Sequence, residues 1–242
     1  MKHQIIFVGL LVFLVGTTIW ITSLGTVGIY NTFTYGDIFY SIWAHLKMVF
    51  IAVVIATAIG VSLGILVTRP GFDKLALPVI GGASVGQTVP SLAVIAVMAP
   101  VLGFGLRSAI VALVIYGLLP ILRNSFTGIK NIDPAIIEAA RGMGLTRMQI
   151  ARRIELPLAR SVIMAGIRIS TVITVGTAEL AVLVGGTGLG KITLTGLFAR
   201  EALIILQGAA PTAAIAITLG FILERLEQWM TPQGLKIRTE MS

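Results

Sequence analysis

Residues 138–159 read EAARGMGLTRMQIARRIELPLA. The segment is polar, basic and helical in pattern, yet apolar runs of membrane length flank it on both sides. Its local signals describe two short helices. Asp133 suits an N-cap, where a short acidic side chain accepts from an orphan amide, and Pro134 suits the first helical position. Ile132 and Ile137 are spaced as a hydrophobic staple. Gly144 fits the position that ends a helix with positive φ. Thr146 and Gln149 form a capping box, Leu145 and Ile150 a second staple, and Pro157 is expected to close the second helix. A merely flexible connector needs neither two capped starts nor a glycine stop, so the segment reads as rigid.

Outward from this hairpin the chain is oily. It has 242 residues, 56% of them hydrophobic and 12% charged, with mean hydropathy +0.99. Soluble domains carry about 25% charged residues, so this chain reads as an all-α integral membrane protein. A span takes about 20 apolar residues to cross a hydrocarbon core of about 30 Å. Six are expected: Ile5–Leu24, Met48–Val67, a stretch from Leu75 to Phe104 broken by Gly86, Pro90 and Pro100, then Ser108–Leu122, Ser161–Val184 and Leu203–Leu223. The first follows a basic start as in a signal peptide, but its long apolar run and missing small-x-small site favour an uncleaved span. With no linker, residues 1–242 form one membrane domain. It divides into an N-terminal span and outer loop (1–47), a core (48–223) enclosing the loop 130–157, and a tail (224–242).

Charge fixes the expected orientation. With the N-terminus inside, thirteen of the eighteen Lys and Arg fall on the inner side, Lys2, Lys236 and Arg238 among them. Four fall outside (Lys47, Arg107, Lys191 and Arg200), and Arg168 lies within a span. The positive-inside rule then places both termini and the 123–160 region in the cytoplasm. It also explains the net charge of +8 without a nucleic-acid partner. With no cysteine and only His3 and His45 as imidazoles, no metal site is expected. No phosphate-loop signature, Ser/His pair or HExxH motif is present, so the chain is expected neither to bind ATP nor to act as an enzyme.

A rigid basic hairpin on the inner face admits two readings from its residues alone: docking to a protein, helped by the small Ala139 and Ala140, or lying on anionic lipid. A DNA-gripping helix-turn-helix is disfavoured because Pro157 runs almost directly into a span.

A family resemblance favours the docking reading. Glu138-Ala139-Ala140, Gly144, Ile154 and Leu156-Pro157 resemble, without a gap, the EAA loop of permease subunits of ATP-binding-cassette importers. From about Thr68 to Phe221 further stretches resemble the osmoprotectant subfamily. These are GQTVPSLA at 86–93, GFG at 103–105, YGLLPILRN at 116–124 and GGTGLG at 185–190. The resemblance implies a type I importer permease fold in a bacterial cytoplasmic (inner) membrane. It implies a second permease, either the same chain or a paralogue. Two ATPase subunits would carry ATP-Mg, and an extracytoplasmic binding protein would deliver glycine betaine, choline or carnitine. Glu138, Ala139, Ala140, Arg141 and Gly144 would form the ATPase-coupling element. Asp133, Pro134, Thr146, Ile154, Leu156 and Pro157 would brace it. A methionine or other small amino-acid permease is the nearest alternative cargo. A stand-alone secondary transporter or channel is the different class, and the EAA spacing argues against it.

Polar groups at membrane depth are functional candidates. Arg168 and Glu179 share a helix face roughly 16 Å apart along the axis, too far to pair directly. Arg168 is expected to snorkel or meet the loop. Glu179 departs from the family pattern. It reads either as a negative lining group for a cationic solute, or as a carboxylate near the outer interface or bonded to a neighbouring helix. Gln87 and Thr88, just before Pro90, read either as pathway residues beside unwound backbone or as interhelical contacts. Trp20, Trp43 and Trp229 all lie away from the core spans, so much of the selectivity is expected in the binding protein.

Overall fold

A computed structural model describes residues 2–26 and 33–230, and the described residues contain helices and turns but no strand. The helices are α1 (Lys2–Thr26), α2 (Tyr35–Leu66), α3 (Ala76–Thr88), α4 (Ser91–Leu102), α5 (Leu106–Lys130), α6 (Pro134–Gly142), α7 (Arg147–Ile150), α8 (Leu156–Ala178), α9 (Gly190–Ala199) and α10 (Ala202–Met230). Five spans are straightforward, and α3 with α4 forms a sixth that bends by 100°. The expected count of six matches this, with the break where Pro90 separates the two halves.

Three boundaries differ from expectation. The second span starts at Tyr35 rather than Met48. Thr34 caps it through a reciprocal box: Asp37 N donates to the Thr34 hydroxyl at 3.3 Å, and the Asp37 carboxylate accepts from Thr34 N at 3.1 Å. The added turns expose Tyr35, Phe39, Tyr40 and Trp43, the composition of an interfacial aromatic belt. The loop expected on the outer side, within the 1–47 segment of span and loop, is correspondingly shorter, and Lys47 rides on the helix surface. At the other end, α10 continues to Met230 and takes in the start of the expected tail at 224. Of the cations expected on the inner side, the Lys2 side chain, Lys236 and Arg238 lie outside the described residues. Finally, the fifth span ends in a 3-10 turn, Glu179–Val184, and the expected outer connection holds α9.

Small residues set the core. Helices α2, α5 and α8 pack so closely that a Cβ on Gly64 would stand 2.6 Å from Ser125 Cβ, and one on Gly166 2.7 Å from Asn124 Cβ. In lipid, where apolar contact alone gives helices no preference for one another, such close packing is what holds a bundle together. Met48, Ala52, Ile95, Ala112, Leu113, Val175 and Ala181 fill the shared interior. A buried amide helps tie on the first span. Gln207 donates to Thr22 Oγ1 at 3.0 Å and Phe33 O at 2.8 Å, and its carbonyl accepts from Phe33 N at 2.9 Å.

Candidate coupling loop and translocation residues

The connection between α5 and α8 is built as its caps dictate. Asp133 Oδ1 accepts from Ala135 N at 2.9 Å, opening α6 with Pro134 in its first turn. The helix stops in a Schellman arrangement: Leu145 N donates to Ala140 O at 3.2 Å and Gly144 N to Arg141 O at 2.9 Å, with Gly144 at φ 80°. Thr146 N then donates to Gln149 Oε1 at 2.8 Å, and Gln149 N returns a bond to Thr146 Oγ1 at 3.4 Å. Both ends of the hairpin turn are thus fixed by local bonds.

Burial splits the motif. Ala140 is 0% exposed, so its small side chain lets the hairpin close on its own chain rather than offering a contact. Glu138, Ala139, Arg141 and Gly144 are exposed. Ile136 and Met143 are 42% and 72% exposed, and with Ala139 they fall one helical turn apart on one face of α6. Ile136 and Met143 carried no weight in the sequence reading, although their spacing from Ala139 was available there.

Pro157 does not close the second helix. A π turn, Ala151–Glu155, carries α7 into α8, with Leu156 N bonded to Ala151 O and Pro157 inside the first turn of α8. A proline lacks an amide and crowds the carbonyl four residues back, here Arg153, and a widened turn relieves that crowding. The loop is braced by long-range contacts. Glu155 pairs with Arg69 beyond the end of α2 at 2.5 Å. Leu156 packs on a cluster of Ile129, Ala159 and Ile163, while Ile154 is half-buried. Arg141 and Arg147 line a crevice with Arg69, on a different face of α6 from Ala139.

The broken third span is stapled to α5. Pro120 has no amide to give Tyr116 O, its partner four residues back in an ordinary helix. Gln87 Nε2 takes that orphaned carbonyl at 2.7 Å. The Tyr116 hydroxyl in turn donates to Val89 O, next to Pro90. Gln87 is therefore engaged between helices, and Thr88 is exposed with its hydroxyl on Val85 O at 2.9 Å. Gln87→Leu is expected to cost about 1–3 kcal/mol by leaving the carbonyl unpaired. In a Pro120→Ala background, where residue 120 regains its N–H, the same change is expected to cost much less. Thermal unfolding of the four proteins measures this cycle, and additive costs contradict the account.

Glu179 does not stand in open space. Its Oε1 accepts from Thr212 on α10, its Oε2 is buried, and a Cβ on Gly190 would stand 2.0 Å from its backbone carbonyl oxygen. One carboxylate oxygen of Glu179 is thus bonded to a neighbouring helix, and the other has no hydrogen-bond partner. Arg168 meets Glu227 on α10 at 3.1 Å rather than the loop. No cluster able to hold a metal occurs among the described residues.

Known proteins match this arrangement. A family described as "Binding-protein-dependent transport system inner membrane component" matches residues 60–233. The chain is 45% identical over 194 residues to a carnitine transport permease protein of Listeria monocytogenes, covering 80% of this chain and 88% of that one. It is 42% identical over 207 residues to a glycine betaine/carnitine/choline transport system permease protein of Bacillus subtilis, covering 86% and 94%. Among solved structures, an inward-facing methionine ABC transporter superposes with TM-score 0.73 at 26% identity, covering 81% of this chain and 97% of that one.

Proposed function

We propose, from the premise that this chain belongs to the binding-protein-dependent transport system inner membrane components, that it lines the translocation pathway of an ATP-driven osmoprotectant importer. The cargo is a solute such as glycine betaine, choline or carnitine. As a permease subunit the chain is non-catalytic. A separate ATPase pair holds ATP-Mg, and a second permease, identical or paralogous, completes the pathway. A binding protein on the outer side delivers the solute, and both termini and the α6 hairpin lie in the cytoplasm.

The coupling role rests on one observation above all. The hairpin is held rigid by caps at both ends and still exposes an apolar stripe of Ile136, Ala139 and Met143. A rigid element transmits displacement, and an exposed apolar stripe gains free energy when a partner covers it. Glu138 and Gly144 flank that stripe, while Ala140, Asp133, Pro134, Thr146, Ile154, Leu156 and Pro157 hold its shape. The high-identity relatives, at more than 40% over most of the chain, favour osmoprotectant cargo. The methionine transporter favours the second cargo, at 26% identity.

Uptake by the reconstituted complex discriminates the two. Labelled glycine betaine, choline or carnitine is expected to accumulate with ATP, and unlabelled methionine in excess is expected not to compete. Methionine uptake without uptake of any quaternary ammonium solute contradicts the assignment.

A further inference from the structure

Where α2 ends, Thr68 and Arg69 face Ile137 and Arg141 of α6 and Arg147 of α7 across a crevice of about 250 Å³. Three guanidinium groups line it against one carboxylate, Glu155. That carboxylate is taken by Arg69 Nη1 at 2.5 Å, and Arg69 Nη2 is buried without a hydrogen-bond partner. Arg141 and Arg147 form no ion pair among the described residues. Two positive charges are therefore in surplus at a concave site.

We propose that this crevice binds the phosphate of an acidic phospholipid headgroup from the leaflet at the C-terminal end of α2. Guanidinium groups offer paired N–H donors that match phosphate oxygens, so an Arg cluster suits this ligand better than a Lys cluster. Position selects the lipid source. Arg69 follows the apolar run of α2 almost directly, which puts the crevice at the edge of the hydrocarbon. Basic pockets between spans at that depth take lipid headgroups. Facing selects it again. At 100° per residue, Ile137 and Arg141 lie roughly 150° around α6 from the stripe of Ile136, Ala139 and Met143. The crevice thus looks away from the docking face. A lipid held there pins the base of the hairpin to the membrane while leaving the stripe free.

The test counts retained lipid rather than transport, so it stands whether or not the docking stripe binds an ATPase. The purified complex is exchanged from vesicles of phosphatidylcholine with phosphatidylglycerol into mild detergent, and bound lipid is read by native mass spectrometry. The wild type is expected to keep phosphatidylglycerol selectively, and the double variant Arg141→Gln/Arg147→Gln to bind it about tenfold more weakly or worse. Lys130→Gln, a charge removed outside the crevice, is expected to retain it. Inorganic phosphate is expected not to displace the lipid. Equal retention by the double variant overturns the site. Ready displacement by phosphate overturns the lipid assignment in favour of a free anion. Unchanged lipid retention together with loss of the co-purifying ATPase in the double variant overturns it in favour of a protein partner.

Discussion

Ala139→Glu or Met143→Glu is expected to leave the amount of permease in the membrane unchanged and to reduce binding-protein-stimulated ATP hydrolysis by about 100-fold or more. Both side chains are exposed, so in the isolated chain the change touches nothing and moves stability by no more than about 0.5 kcal/mol. The penalty arises only when a partner covers the stripe. An unpaired carboxylate then loses its water, which costs about 2–5 kcal/mol at an interface, and about 1.4 kcal/mol is a factor of ten. The neighbouring Ala140→Glu is expected to behave differently. Ala140 is 0% exposed, so that variant breaks the hairpin itself and lowers folded protein as well as hydrolysis. Two adjacent positions with opposite signatures separate docking from folding. Stimulated hydrolysis by Ala139→Glu at the wild-type rate contradicts the docking face.

Gly190→Val is expected to abolish folded permease. A Cβ at Gly190 would stand 2.0 Å from the Glu179 carbonyl oxygen and 2.7 Å from its carbonyl carbon. The obstacle is backbone, at the junction where the 3-10 turn, α9 and the buried Leu189–Ile192 cluster meet, so no rotamer change relieves it. Overlap of that kind belongs to the exceptional class of substitutions costing more than about 4 kcal/mol. Gly82→Ala supplies the contrast. Nothing lies within 4 Å of its Cβ position on helix α3, so the change is expected to be neutral or to stabilise by up to about 1 kcal/mol. Detergent-solubilised yield and unfolding temperature measure both. A well-folded Gly190→Val protein removes this account of the 3-10 turn and α9.

Much of this was legible in the chain, wherever the cause is local. The caps at Asp133, Gly144 and Thr146 each depend on residues within five positions, and the hairpin forms where their spacing puts it. The start of α2 was equally local. Thr34 and Asp37 carry a capping-box spacing, but Asp37, His45 and Lys47 interrupt the apolar run, and a search for uninterrupted apolar residues begins at Met48. The exposed stripe on α6 was half legible, because helical spacing groups Ile136, Ala139 and Met143 without saying which face the rest of the chain covers. The burial of Ala140 depends on which face of α6 the folded chain covers, and the Arg69–Glu155 pair on how the ends of α2 and α8 come together across the bundle. Gln87 shows the same limit. Its polar character marked it, but its partner is a carbonyl set free by Pro120 on another helix. Glu179 was open between a lining group and an interhelical carboxylate because sequence position gives depth but not direction, and its bond to Thr212 comes from another helix.

The chain contains no cysteine, so Ala139→Cys carries the sole thiol on the permease. In the assembled importer, with its ATPase and binding protein, a thiol-reactive crosslinker at this position is expected to join the permease to the ATPase in high yield. That yield is expected to change when ATP is added, because the docked hairpin moves with its partner. A complex that hydrolyses ATP normally but yields no ATPase adduct from residue 139, while Trp229→Cys or another exposed site captures it, contradicts the claim that α6 is where this permease is driven.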